Sequence, residues 1–198
     1  MSARIYIEGG GQSKELKTRC REAFQKLLEN AGIRENKPRL VACGGRNAAF
    51  DQFRTAHAEQ RPSEYVAMII DSEDPPANIE RTWEHLRVHD GWVAPVGATD
   101  EQVLFMTTCM ETWIASDQAA LGEHFGQCLQ MNALPPARHI EQRNRAQVMQ
   151  ELTHATRNCK RPYAKGDNSF KLLGNLNPQT LVSLPSFDRM ARILKQKL

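Results

Sequence analysis

Residues 65–74 read YVAMIIDSED, an apolar run that closes on three acidic residues. A second run of this kind, RIYIEGGG at residues 4–11, closes on one glutamate and three glycines. Short runs rich in β-branched and aromatic residues indicate buried strands. Ligands of an open α/β sheet bind outside the carboxyl ends of its strands. Close carboxylates are stable mainly around a cation, so the runs predict a divalent-metal site made by Glu8, Asp71, Glu73 and Asp74.

The segments between and after these runs predict an α/β fold. A helix is expected over residues 13–33, a strand over 39–43 and a helix over 47–59, which gives the order β-α-β-α-β and a mainly parallel sheet flanked by helices. Further helices are expected at 78–89, 111–125, 145–158, 170–176 and 186–197, the last with Ser186 as its N-cap, and a fourth strand at 103–106. Pro135 and Pro136 mark a boundary between an α/β core of residues 1–136 and a basic helical extension of residues 137–198 packed on it.

The composition is typical of a soluble globular protein, with 40% hydrophobic and 25% charged residues among 198. No apolar run is long enough for a membrane helix, and the N-terminus lacks the pattern of a signal peptide. The five cysteines are scattered and form no CxxC pair. Reduced thiols and a cytoplasmic location are therefore expected, with no zinc site and no membrane contact.

Charge is distributed unevenly along the chain. From Arg138 onward there are 12 Lys and Arg against 4 Asp and Glu, whereas the preceding part has 14 against 19. This asymmetry suits a polyanion contact beside a cation-binding face. Taken alone, it is more typical of a solvated helical face.

Further side chains are candidates for the same site. Glu111 follows the fourth strand. It either joins the carboxylates at the strand ends or lies in the first turn of a helix, where the helix dipole favours a negative charge. Arg46 follows two glycines at the end of the second strand and is a candidate phosphate clamp. The segment KRPYAK at residues 160–165 gathers three cations around Tyr163, which suits phosphate binding and base stacking, or else a solvated loop.

Other chemistries lack their motifs. The glycines after Glu8 form neither a Walker loop nor a GxGxxG fingerprint, and no nucleophile elbow is present. The histidines make no metal-binding pattern, so His85 and His89 are interpreted as structural. A phosphotransfer receiver also has acidic strand ends, but no lysine follows the fourth strand where a receiver needs one.

The ordered motifs resemble the Toprim domain of topoisomerases, DnaG-type primases and OLD-family nucleases. They are more closely similar to the small Toprim-like family sometimes labelled RloG-like (domain of unknown function 4276), over nearly the whole length. The matching segments are IYIEG at residues 5–9, IIDSED at 69–74, METW at 110–113 and YAK at 163–165 followed by PSF at 185–187.

The resemblance implies a Toprim-like core and Mg²⁺- or Mn²⁺-dependent cleavage of phosphodiester bonds in DNA, RNA or tRNA. It also implies an anti-phage defence role beside an ABC-type ATPase partner. Glu8 would then act in acid–base catalysis or metal binding, and Asp71 with Glu73 would bind the metal. Residue 73 is Glu where the family motif usually has Asp, so Asp74 is an alternative to Glu73 as the metal ligand. The expected catalytic residues are Glu8, Asp71, Glu73, Glu111 and Lys165, and the expected phosphate contacts are Arg46, Lys160, Arg161 and Lys165.

The main alternative is a non-catalytic Toprim-fold adaptor or regulatory subunit that docks on the ATPase. Mg²⁺ binding with nucleic-acid cleavage distinguishes the two, because an adaptor needs neither. Self-association as a homo-oligomer stays open.

Overall fold

A computed structural model describes residues 2–198 of the protein, except for the side chain of Asp167. Four parallel strands form one sheet in the order β2-β1-β3-β4, with helices on both faces. The strands are β1 Ser2–Gly10, β2 Arg39–Gly44, β3 Glu64–Asp71 and β4 Val103–Met106. The predicted α/β class, with its parallel sheet flanked by helices, is confirmed.

The helices follow the strands in chain order, with short 3-10 turns between some of them. Their bounds are α1 Lys14–Asn30, α2 Arg46–Ala58, α3 Thr82–Asp90, α4 Met110–Ser116, α5 Gln118–Phe125, α6 Arg145–Thr156, α7 Asp167–Leu173, α8 Pro178–Leu181 and α9 Pro185–Lys197.

Both faces of the sheet are buried, which explains why its strands read as nearly continuous apolar runs. Successive strand residues point to opposite faces. One face carries Ile5, Ile7 and Ile69 against α1, α4 and the C-terminal helices, and the other carries Met68 and Ile70 against α2 and α3. Each fully buried aliphatic side chain stabilises the fold by about 1.5–3 kcal/mol.

Some predicted elements differ from the observed ones. The helix expected over residues 111–125 is broken at Asp117, whose carboxylate accepts the N–H groups of Ala120 and Asn177. Helix α8 was not predicted. Helix α9 begins at Pro185, so Ser186 is not its N-cap, and the Ser186 hydroxyl instead contacts the buried Glu141.

The C-terminal helices share one apolar core with the sheet. Several of their cations pair with acidic groups of the N-terminal part: Arg145 with Glu73, Arg189 and Arg192 with Glu80, and Lys197 with Glu101. Part of the charge asymmetry is therefore neutralised within the fold.

The expectation that all cysteines are reduced is wrong. Cys128 and Cys159 form a disulfide that joins the turn after α5 to the segment after α6, whereas Cys20, Cys43 and Cys109 are free and buried. The spacing of 31 residues between the two bonded cysteines left no signal in the sequence, because only the folded chain brings the segment after α5 and the segment after α6 together. Among the described helices, none combines the length and the apolar composition needed to cross a membrane.

Candidate functional site

Glu8 lies near the end of β1, beside the end of the neighbouring strand β3. Its Oε2 accepts the backbone N–H of Asp71 at 3.0 Å and lies 3.6 Å from Nη1 of Arg46. Burial raises the pKa of Glu8, against the opposing effects of the Arg46 charge and the Asp71 N–H. The carboxylate is thus fixed at the carboxyl edge of the sheet with one oxygen held by the backbone.

The glycines after Glu8 let the chain pass close to its neighbours. Gly10 has a φ of +85°, and a Cβ there would lie 2.8 Å from Cα of Lys17. Gly44, opposite it on β2, has a φ of +92°, and a Cβ there would lie 2.6 Å from the carbonyl oxygen of Gly11. Only glycine fits both positions without shifting the backbone, so these residues shape the edge of the site.

Asp71 is the last residue of β3 and is buried. Its Oδ1 accepts the backbone N–H of Met110 at 2.9 Å. Burial raises the pKa of the Asp71 carboxyl well above its usual range, and the nearby Glu8 and Glu111 carboxylates raise it further. Mutual repulsion of this kind is relieved by a bound cation.

Glu73 joins Glu8 and Asp71, but not in the way the sequence suggested. Extended backbone was expected to place residues 71 and 73 on one side, whereas Glu73 has a left-handed φ of 69°. One carboxylate oxygen from each of the three residues lies within 4.8 Å of the others. Glu73 also forms an ion pair with Arg145. We call Glu8, Asp71 and Glu73 the acidic cluster.

Asp74 does not belong to the acidic cluster. Its side chain is 61% exposed, and its Oδ2 lies 3.3 Å from Nε2 of His89. The geometry therefore favours Glu73 over Asp74 as the partner of Asp71.

Glu111 is buried beside the acidic cluster, in the first turn of α4, with only 1% of its side chain exposed. Its Oε1 accepts the hydroxyl of Tyr163 at 3.0 Å. Its Oε2 is buried without a hydrogen-bond partner among the described residues and lies 3.6 Å from Nζ of Lys165. An unpartnered buried carboxylate oxygen is costly unless a ligand completes it.

Arg46 is engaged within the protein. Its Nε and Nη2 donate to Asp90 at 2.9 and 2.8 Å, and its Nη1 donates to the backbone carbonyl of Asp71. The guanidinium also lies over the ring of Trp92, 5.1 Å from its centre. A phosphate contact by Arg46 stays a prediction, and the observed contacts suit a residue that positions the ends of β1 and β3.

A cavity of about 340 Å³ opens in front of these groups. Glu8, Asp71, Glu111 and Lys165 line it together with the glycines of residues 9–11. Mg²⁺ and Mn²⁺ prefer such oxygen ligands. The buried carboxylates and the unpartnered Oε2 of Glu111 therefore fit a divalent cation, held by the acidic cluster with Glu111 alongside.

Lys160 and Arg161 lie outside this cavity, in a neighbouring one that Lys165 also lines. The expectation that Tyr163 stacks a base is wrong, because its ring is buried with 3% exposure and its hydroxyl holds Glu111. Burial raises the pKa of Tyr163, so the phenol stays a hydrogen-bond donor.

Sequence reasoning missed Arg145 and the contact between Tyr163 and Glu111. Arg145 begins α6 directly after its N-cap, Asn144, and nothing in that local pattern indicates which carboxylate it meets. Tyr163 stood out only as an aromatic among cations. Both positions depend on how the C-terminal helices pack, which a local pattern does not encode.

Comparison with known proteins gives one family. No curated protein and no solved structure is significantly similar to the chain. The sequence profile of a family described as "Domain of unknown function (DUF4276)" matches residues 7–195, a range that includes every residue of the acidic cluster, Glu111 and Lys165. The chain belongs to this family.

Proposed function

We propose that the protein is a Mg²⁺-dependent, Toprim-like nuclease that hydrolyses phosphodiester bonds in nucleic acid. The observation that carries the proposal is the acidic cluster, in which three carboxylate oxygens lie within 4.8 Å of one another and two of the three residues, Glu8 and Asp71, line a cavity. Clustered carboxylates at the carboxyl ends of parallel strands suit a hard divalent cation. Lys165, at the same cavity, suits the negative charge of a phosphate.

The position of each side chain indicates its role in the proposed reaction. A divalent ion bound here would supply Lewis-acid polarisation of the scissile phosphate and stabilisation of the leaving oxygen. Asp71, Glu73 and Glu8 hold that ion. Glu111, oriented by Tyr163, offers its free Oε2 to position the attacking water. Lys165 neutralises charge that develops on the phosphate, and its exposed side chain lies at the cavity with Nζ 3.6 Å from Glu111.

The biological setting rests on the resemblance of the motifs alone. On that basis we propose an effector of an anti-phage defence system that works with an ABC-type ATPase. A cytoplasmic location stays a prediction, and the Cys128–Cys159 disulfide removes the reduced thiols as an argument for it. The family's description names no activity, so these roles are proposals for experiment.

A second candidate function is a non-catalytic adaptor on the same fold. The observation that favours it is the set of internal counter-charges, because Arg145 pairs with Glu73 and Arg46 lies beside Glu8. Such pairs partly neutralise the acidic cluster without any ion. Under this alternative the protein binds its partner but neither Mg²⁺ nor a scissile strand.

Cleavage assays with matched variants separate the two functions. The full chain is incubated with plasmid, single-stranded DNA and tRNA, in Mg²⁺ or Mn²⁺, with and without the ATPase. The substitutions Glu8→Gln, Asp71→Asn and Glu73→Gln are compared with Glu59→Gln, an exposed carboxylate at the end of α2. We expect metal-dependent cleavage that the three site variants reduce at least about 100-fold and the control leaves intact. Undiminished cleavage by Glu8→Gln and Asp71→Asn contradicts the proposal.

A further inference from the structure

A basic cavity lies directly beside the cavity of the acidic cluster. It has a volume of about 670 Å³ and is walled by α5, α7 and the segment of residues 159–165. Its lining includes the basic side chains of Lys160, Arg161, Lys165 and Lys171. Among the lining residues that the structure describes there is no carboxylate, so this concavity favours an anion.

Two of these cations are not used by the fold. Lys160 and Arg161 are exposed, and no ion pair among the described residues includes either one. Other C-terminal cations, such as Arg145 and Arg189, are paired with carboxylates of the N-terminal part. Internal neutralisation therefore explains much of the basic charge of this region, but not the charge of Lys160 and Arg161.

Apolar and aromatic residues share the lining of the basic cavity with the cations. Phe125 and His124 lie there with ring centres 4.7 Å apart and rings nearly perpendicular. Pro162 and the Cys128–Cys159 disulfide also line the cavity. The Nε2 of His124 lies 2.8 Å from Oδ1 of Asn168, a contact that ties α5 to α7. An apolar aromatic face beside cations is the arrangement on which unpaired bases stack.

Lys165 connects the two cavities, because it lines both of them. Its Nζ lies 3.6 Å from Oε2 of Glu111 on the acidic side. A strand with its scissile phosphate at the acidic cluster can therefore continue past Lys165 into the basic cavity.

We propose that the basic cavity binds a nucleotide of single-stranded nucleic acid that flanks the scissile phosphate. Its base lies against Phe125 and Pro162, and its phosphates contact Lys160, Arg161 and Lys165. The position of this nucleotide next to a scissile phosphate rests on the proposed nuclease function, whereas the binding of a single strand does not. A duplex keeps its bases stacked inside, so its phosphates reach the cations but its bases do not reach the apolar lining.

Fluorescence anisotropy in EDTA tests this assignment without any cleavage. The probes are labelled DNA and RNA single strands of about 12 nucleotides and a hairpin duplex of the same DNA sequence. The double variant Lys160→Ala with Arg161→Ala is compared with Arg61→Ala with Arg87→Ala. The control removes two exposed arginines from the loop before β3 and from α3, remote from α5 and α7.

We expect the cavity variant to bind single strands about tenfold more weakly, with a salt dependence reduced by about 1.4 in logarithmic slope, because two phosphate contacts are lost. The control keeps the wild-type affinity, and wild type binds the single strands about tenfold more tightly than the hairpin. Equal losses in both double variants, or equal affinity for hairpin and single strand, overturn the proposal.

Base stacking is tested by an independent substitution. Replacing the bases one at a time by an abasic site should weaken wild-type binding at one position by roughly 5- to 150-fold. In Phe125→Leu, shown to be folded by thermal unfolding, that penalty should fall several-fold. A probe series with no sensitive position contradicts the stacking assignment.

These outcomes are separate from the fate of the nuclease proposal. If wild type cleaves nothing with any divalent ion while the cavity variants lose binding as expected, hydrolysis fails and the cavity assignment stands. If wild type cleaves and the cavity variant binds normally, only the cavity assignment fails.

Discussion

Asp71→Asn should make the metal-free protein more stable while it removes metal binding. Asparagine keeps an oxygen at the position that accepts the N–H of Met110, so the local structure is preserved. It removes one charge from a group of three carboxylates, and its amide can donate to the carboxylates beside it. A stabilising substitution at a buried, hydrogen-bonded position is unusual, which makes this expectation specific to an acidic cluster.

The magnitude follows from the separation of the charges. Two unit charges 4.8 Å apart, the distance that bounds the cluster, repel by about 3.5 kcal/mol at an effective dielectric constant of about 20. Asp71 has two such neighbours in the cluster, Glu8 and Glu73, and Glu111 adds to the repulsion. Lys165 offsets part of it at Asp71, and Arg46 and Arg145 neutralise part of the charge of Glu8 and Glu73. We expect a net gain of about 1–3 kcal/mol at about pH 8, which is a rise in Tm of roughly 3–9 °C.

The sign depends on pH. The folded state holds the proton of Asp71 more tightly than the unfolded state, because burial raises its pKa. The contribution of Asp71 to the stability of the wild type is therefore fully present at pH values below the pKa of this carboxyl in the unfolded state. It is lost as pH rises through the pKa of the carboxyl in the folded state. The advantage of Asp71→Asn should be small at about pH 4 and largest at alkaline pH.

Urea unfolding followed by tryptophan fluorescence measures these differences, and Trp113 is a fully buried reporter. In EDTA at about pH 8 the variant should unfold at higher urea than the wild type. Mg²⁺ at ten times its Kd should stabilise the wild type by about 1.4 kcal/mol and the variant much less. A less stable variant in EDTA, or equal stabilisation of both by Mg²⁺, refutes the reasoning.

The remaining predictions concern stability and the choice of ligand. Arg189 is 3% exposed and donates to Glu80 and to the carbonyls of Val103 and Asp100, so Arg189→Met should cost about 2–4 kcal/mol in thermal unfolding. Its exposed neighbour Arg192 also pairs with Glu80, and Arg192→Met should cost less than about 1 kcal/mol; similar losses would contradict the role given to burial. Burial raises the pKa of Glu141, so the free energy of unfolding should fall as pH rises above about 4.3, the pKa of an unfolded glutamate. Glu141→Gln keeps an acceptor for Ser186, and it should make the urea midpoint of unfolding depend less on pH. Asp74→Asn should leave Mg²⁺ affinity within about threefold by calorimetry, whereas Glu73→Gln should weaken it at least about tenfold; the reverse order would assign the ligand to Asp74.

Much of the sheet was readable from the sequence because both of its faces are buried. Residues 65–70 admit few other structures, since six apolar residues in a row cannot face water on either side of a sheet. The acidic residues that follow then lie at one edge by the topology of parallel strands. Glu8 and Asp71 were found in this way, and their hydrogen bond follows from β1 and β3 being neighbours.

The rest depended on packing that local patterns do not encode. Glu73 and Asp74 are adjacent in sequence but point to different partners. Glu73 has a left-handed backbone conformation and joins the acidic cluster, whereas the side chain of Asp74 lies beside His89. Tyr163 is buried because the segment after α6 folds back onto α4, so its role changed from a surface aromatic to a support for Glu111. The disulfide between Cys128 and Cys159 likewise depends on how the segments after α5 and α6 come together in the fold.

The most direct test of the central claim is the rate of cleavage of a labelled single strand as a function of Mn²⁺ concentration, for wild type and Glu8→Gln, with and without the ATPase. We predict a saturable dependence on Mn²⁺ for the wild type and a rate at least about 100-fold lower for the variant. Binding of Mn²⁺ by the wild type without cleavage under either condition, or cleavage that survives Glu8→Gln, would contradict it.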